Sequence, residues 1–313
     1  MRKLLAYLQL CRAANLFTAL ADIFLGFLMT HENLQPWPTF AWLLVSSVCL
    51  YTAGMVWNDV FDRDVDREER PNRPIPSGKI SVRAASILGS LLLVGGIIAA
   101  ALAGTQSLLV AAILVACILA YDGLAKSTPV GPLFMGGCRF LNVMLGASAA
   151  EVGVDLPGRA MVVDIGPQMF VWTEPQTAVA MALGIYIAGV TWFAREEANV
   201  SRRGALGRAV VVVNLGLAGL IGVVFHVPDL HGNHVNIAIV LALVALTIDR
   251  RLITAWYVPD PQNVQFAIKI CLLSLVMLDA ALVVFFTGES MFGLAVVALL
   301  APSLLLSRVL AMT

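Results

Sequence analysis

Charge is scarce in this sequence. Only 13% of its 313 residues are Asp, Glu, Lys or Arg, against about 25% in an ordinary soluble domain. Hydrophobic residues make up 59% and mean hydropathy is +0.87. One aqueous core cannot take up that much apolar surface, which excludes a soluble globular enzyme and points to an integral membrane protein. Net charge is also zero, so no nucleic-acid partner is expected. Cysteine is sparse and odd in number: Cys11, Cys49, Cys117, Cys138 and Cys271 are scattered, mostly within apolar runs. With no C-x-x-C spacing they read as packing residues rather than a disulfide framework. No small-residue cleavage site follows the first apolar run, so that run is expected to stay as the first span. No linker or low-complexity stretch divides the chain, and 1–313 is expected to be a single membrane domain.

A spanning helix needs about 20 apolar residues. Suitable runs lie near 13–30, 40–58, 84–103, 106–122, 130–149, 177–194, 209–226, 234–249, 267–287 and 291–310. The expected fold class is therefore all-α, a polytopic helical bundle of about nine to ten transmembrane helices. With the N-terminus inside, every Lys and Arg except Arg139, within a span, and Arg159, on an outer loop, falls on one face. That asymmetry makes the face cytoplasmic, with both termini inside for ten spans. The loops 58–83, 122–129 and 195–208 then share one cytoplasmic rim, and a bacterial plasma membrane is the expected location. Trp42, Trp57, Trp172, Trp192 and Trp256 fall near the expected interfaces, as aromatic belts do.

Against this background, residues 58–78 read NDVFDRDVDREERPNRPIPSG. Asn58, Asp62 and Asp66 recur every four residues, so a second span continuing as helix past Trp57 would stack them on one face. Asp59 is one position off and could join the same rim; Asp64 points elsewhere. Two carboxylates a turn apart with an amide above them are oxygen ligands for a hard divalent ion. Mg²⁺ takes one or two carboxylates and completes its shell with water and substrate phosphates. Arg67, Arg70, Arg73 and Lys79 suit phosphate oxygens, and Pro71, Pro74 and Pro76 stiffen the loop that carries them. The alternative is a mixed-charge cytoplasmic loop. Against it, carboxylates at a membrane edge are costly unless paired or metal-bound.

The stretch NDVFDRDVDREERPNRPIPSGKIS resembles the first aspartate-rich motif of the UbiA superfamily of intramembrane prenyltransferases, in its residues and in its place after the second span. Its R-P-I-P-S-G run is similar to the branch that includes chlorophyll synthases and archaeal geranylgeranylglyceryl-phosphate transferases. The resemblance implies helices around a central cavity, with Asn58, Asp62 and Asp66 holding Mg²⁺ on an allylic isoprenyl diphosphate. It implies transfer of the prenyl group to an aromatic, pigment or lipid acceptor. In YDGLAKSTPVGP, residues 121–132, Tyr121 and Lys126 are spaced as the family spaces a Tyr and a Lys. The resemblance implies that Lys126 reaches the diphosphate and acts with Asp62 and Asp66 in catalysis; a plain anchoring lysine is the alternative. The same stretch mimics the D-G-x-x-A-R start of the CDP-alcohol phosphotransferase signature. No aspartate follows Gly136 and Gly137 before Asp155, so that signature is incomplete. Arg139 and Asn142 share one face of the fifth span, where an ionisable residue marks a functional site by default. Arg139 either contacts the diphosphate or anchors an internal polar network. Arg70, Arg73, Lys126, Arg139 and Arg195 are the candidate diphosphate contacts.

The family's second aspartate-rich motif follows the sixth span. Here that position reads TWFAREEANVSRR, residues 191–203, with no Asp. Glu196, Glu197 and Asn199 are the second-motif candidates. Either a cation replaces the second metal, since cations also stabilise a leaving diphosphate, or the fold has been kept without transfer. The departure resembles a divergent UbiA-like branch, sometimes called EboC-like. Two functions stay open: an Mg²⁺-dependent intramembrane prenyltransferase, and a non-catalytic UbiA-like protein acting in lipid or metabolite transport or in complex assembly. Among smaller signals, His226, Asp229, His231 and His234 in HVPDLHGNH are either metal ligands or a polar turn. Asp279, in the ninth span, is expected to hydrogen-bond a neighbouring helix.

Overall fold

The computed structural model describes residues 2–31, 33–149, 160–165, 168–195, 203–228 and 231–309. Its helices are α1 (Arg2–Leu10), α2 (Leu16–Leu28), α3 (Trp37–Phe61), α4 (Arg63–Glu69), α5 (Val82–Ala103), α6 (Thr105–Ala120), α7 (Gly131–Ala147), α8 (Glu174–Ala194), α9 (Arg203–His226), α10 (His234–Tyr257), α11 (Pro261–Thr287), α12 (Ser290–Ala298) and α13 (Leu300–Val309). A π-turn, Tyr121–Ala125, ends α6. Each of the ten apolar runs falls on helix, the last being divided between α12 and α13. Among the described residues seven helices are long and apolar enough to cross a membrane: α3, α5, α6 with its π-turn, α8, α9, α11 and the α12–α13 pair. The other three runs fall short for local reasons. α2 and α7 stop at 13 and 17 residues, and α10 carries Asp249, Arg250 and Arg251 in its second half. The bundle also contains one element unlike the expected all-α pattern. β1 (Ala160–Ile165) and β2 (Gln168–Thr173) pair antiparallel between α7 and α8, with Ala160 opposite Thr173 and Ile165 opposite Gln168.

The helix ends follow local chemistry. Ser81 caps α5 by accepting from the Ala84 amide. Thr173 and Gln176 form a reciprocal capping box at the start of α8. Asp260 caps α11 ahead of Pro261, and Gly288 ends that helix at φ 69°, a left-handed conformation that glycine adopts without strain. Consecutive long helices pack as neighbours, and α11 returns to α2 and closes the ring. Within a bilayer such packing relies on close backbone approach at small residues. An added Cβ at Gly26 of α2 would meet the Val143 carbonyl oxygen of α7 at 2.2 Å. One at Gly136 of α7 would meet the Gly184 carbonyl oxygen of α8 at 2.4 Å.

Candidate active site

The helical stack expected for Asn58, Asp62 and Asp66 is present. α3 ends at Phe61, but the 1–5 hydrogen bonding runs on through the junction with α4. The Asp62 amide donates to the Asn58 carbonyl at 2.9 Å, that of Asp66 to the Asp62 carbonyl at 2.8 Å, and that of Arg70 to the Asp66 carbonyl at 2.9 Å. The side chains meet different partners. Asn58 Nδ2 donates to Asp122 Oδ1 at 2.9 Å. Asp62 pairs with Lys126 Nζ. Asp66 accepts from Arg73 Nη1 at 2.7 Å, and the same guanidinium reaches Asp59 at 3.5 Å. Asp59 does join the rim, buried between Arg73 and Arg12. Asp64 points away, exposed, and pairs with Arg63 and Arg67. Arg73 is thus buried as a tie between α3 and α4, whereas Arg67, Arg70 and Lys79 stand exposed on the rim.

Two residues at this mouth had gone unassigned. Arg12 lies in the link between α1 and α2 at φ 44°, a left-handed conformation that costs a non-glycine residue about 1–3 kcal/mol. It is held there by donating to Asn58 Oδ1 at 3.2 Å and Asp59 Oδ1 at 3.3 Å. Its sequence signal was a cation at the cytoplasmic end of the first span. Asp122 is brought in by the π-turn. The Lys126 amide donates five residues back, to the Tyr121 carbonyl, at 2.9 Å, so one extra residue is fitted into the last turn and the side chains beyond it are re-aimed. Its signal was an acid beside Tyr121 at a membrane edge.

Arg195 follows α8, where the second motif would begin. Its guanidinium donates to the backbone carbonyls of Lys126 and Thr128 and so clamps the loop that carries Lys126. Gly131 leaves room for this clamp: an added Cβ would lie 2.6 Å from Arg195 Nη2 and 2.7 Å from the Ala125 carbonyl oxygen. Glu196, Glu197 and Asn199 lie outside the described residues.

Arg139 is not gathered at this mouth. It pairs with Asp22 of α2 at 2.8 Å and with Asp279 of α11 at 3.8 Å, and donates to the Thr18 carbonyl at 3.0 Å. Asn142 donates to Asp22 at 2.8 Å and accepts from Ser47 at 2.7 Å. Asp22 and Asp279 are fully buried. Asp279 shares a side-chain hydrogen bond with Asp22 of α2, the expected helix-to-helix contact, and has Arg139 as a cation beside the pair. Of the outer histidines, His231 contacts the Phe286 carbonyl at 3.2 Å and His234 packs on the Phe285 ring; Asp229 lies outside the described residues.

Among the described residues no three His, Cys, Asp or Glu side chains converge to cage a metal by themselves. At the mouth, however, the donors around Asn58 are all oxygen, an amide with the carboxylates of Asp62 and Asp122. That set fits Mg²⁺, which keeps open positions for water and phosphate.

The UbiA prenyltransferase family model matches residues 19–248. The digeranylgeranylglyceryl phosphate synthase of Methanoculleus marisnigri is 39% identical over 149 residues, covering 44% of this chain and 52% of that protein. The chain thus spans about half the length of the curated relatives it matches first. A UbiA homologue from Aeropyrum pernix superposes with a TM-score of 0.64 at 21% identity, covering 86% of this chain and 97% of that one. A homologue from Archaeoglobus fulgidus bound to GPP and Mg²⁺ superposes with a TM-score of 0.60 at 15% identity, covering 94% and 99%. At such identities the structural likeness speaks for the fold. The family match extends from α2 through the aspartate motif to α10, and on that ground the chain belongs to the UbiA prenyltransferase family.

Proposed function

We propose that the protein is an intramembrane prenyltransferase that moves a prenyl group from an allylic isoprenyl diphosphate to a lipid-type acceptor, with Mg²⁺ as its cofactor. The observation that carries this reading is the convergence of Asn58, Asp62, Asp122 and Lys126 at one end of an apolar helical ring. The digeranylgeranylglyceryl phosphate synthase relatives support a glycerophosphate-bearing acceptor, and the GPP- and Mg²⁺-bound homologue supports the donor class.

Asn58, Asp62 and Asp66 head the helix face that would hold the cation, although Asp66 must first exchange its Arg73 contact. Mg²⁺, when bound, supplies positive charge to the departing diphosphate. Lys126 sits where it can turn from Asp62 to a phosphate oxygen, with Arg70 free on the rim for the same task. Arg195 acts on the diphosphate indirectly, by fixing the Lys126 loop. As the carbon–oxygen bond breaks, its electron pair leaves with the diphosphate and an allylic cation remains. The apolar helix walls keep water from that cation until the acceptor's nucleophile attacks it and gives up a proton.

The test is diphosphate release by purified protein given Mg²⁺ and geranyl, farnesyl or geranylgeranyl diphosphate, with a membrane extract as the source of acceptor. Release by the wild type, lost in Asp62→Asn, upholds transfer. Donor binding without release across an acceptor panel would favour the second reading, a carrier or assembly protein on the same fold. That reading draws on the missing aspartates of 191–203.

A further inference from the structure

We infer that Asp122 supplies the carboxylate missing from residues 191–203, serving beside Asn58 and Asp62 as a ligand for the divalent cation that accompanies the diphosphate. The inference rests on the transferase reading above and names a residue that the aspartate motif does not contain. Three independent observations carry it.

The first is an imbalance of charge. Asp59 has Arg12 and Arg73, Asp66 has Arg73, and Asp62 has Lys126. Asp122 is 8% exposed, and among the described residues it has no ion-pair partner, only the neutral Asn58 amide. A carboxylate removed from water needs a compensating cation. Lys126 and Arg12 are its cationic neighbours and Asp62 its acidic one, but the contacts of the two cations go to Asp62 and to Asn58 with Asp59. The second is orientation. Asn58 Nδ2 holds Asp122 Oδ1, and Asn58 Oδ1, which lies under Arg12, would exchange that contact for the cation. The carboxylate of Asp122 is thereby held against a residue of the N-x-x-x-D-x-x-x-D series. The third is the backbone. The π-turn places Asp122 at the mouth, and insertions of this kind recur at functional sites. Meanwhile Arg195, within the stretch that lacks aspartate, spends its guanidinium on the loop just beyond Asp122. What remains of the second motif supports this loop, and the loop carries the acid.

The probe is Mn²⁺, followed by electron paramagnetic resonance on the full chain in detergent, alone and with geranyl diphosphate. Binding is read directly and needs no turnover. Asp122→Asn is the informative variant because its side chain still accepts from Asn58 Nδ2, which preserves the local packing. At least tenfold weaker Mn²⁺ binding is expected for Asp122→Asn, partial recovery for Asp122→Glu, and wild-type binding for Asp64→Asn. Wild-type affinity in folded Asp122→Asn would overturn the inference and leave the transferase reading standing. No Mn²⁺ bound by the wild type, with or without geranyl diphosphate, would overturn both.

Discussion

Two groups of charge in this protein each pair a basic side chain with aspartate, one at the mouth and one in the interior. At the mouth Lys126 and Asp62 meet with 34% and 23% of their side chains exposed. In the interior Arg139 meets Asp22 and Asp279, both at 0%. Water accounts for the difference in what each group can do. Lys126 can give up Asp62 for a phosphate oxygen, because solvent and the incoming anion replace what is lost. Arg139 has no replacement partner, so its contacts act as struts between α2, α7 and α11. A pair that can be exchanged suits binding, and one that cannot suits architecture.

The hardest test of that distinction is Arg139→Leu. Stranding two buried carboxylates should cost about 3–5 kcal/mol, seen as loss of folded yield and a lower apparent Tm. Adding Asp22→Leu and Asp279→Leu should restore most of it, since an apolar replacement of a whole buried ionic group is often neutral. Full stability in Arg139→Leu with lost donor binding would move Arg139 to the mouth and break the comparison. Next in size, Asp62→Asn should slow diphosphate release about 100- to 1000-fold while leaving the apparent Tm near wild type. Gly131→Ala should push on Arg195 and displace the Lys126 loop. A rate loss of about tenfold with little change in stability is expected, because small misplacements of a positioned group are costly. The smallest effect concerns Cys11, beside the mouth. Burial, aided by the charge of Asp59, pushes its thiol up to about 11. Its alkylation should therefore stay slow at pH 8, rise only as the pH approaches that value, and shift to lower pH in Asp59→Asn.

These predictions draw on parts of the molecule that were unequally legible in the sequence. The stack of Asn58, Asp62 and Asp66 depends only on a four-residue period within one helix, so it could be read directly. So could the apolar runs. The partners of those residues could not, because Asp122 lies 64 residues from Asn58 and Arg12 lies 46, and no local period connects them. The π-turn was hidden for another reason: an apolar helix end with one added residue has the same composition as one without it. Arg139 was legible as an anomaly, but its two readings differ only in which helix faces it, and that is set by the closure of α11 on α2. The β1–β2 pair escaped notice in a loop judged by its acidity and proline.

The closure of that ring also bears on how the chain is made. Asp22 sits in α2, a helix of 13 residues, and its cation arrives only with α7, its companion acid only with α11. Until then this short helix carries a lone carboxylate in the nascent chain. A charge at the centre of a spanning helix disfavours insertion by about 2.5–3.5 kcal/mol on translocon scales. α2 is therefore poorly equipped to commit to the bilayer by itself. It would settle late, recruited by α7 after much of the ribosome's work is done, so the order of membrane entry need not follow the order of synthesis.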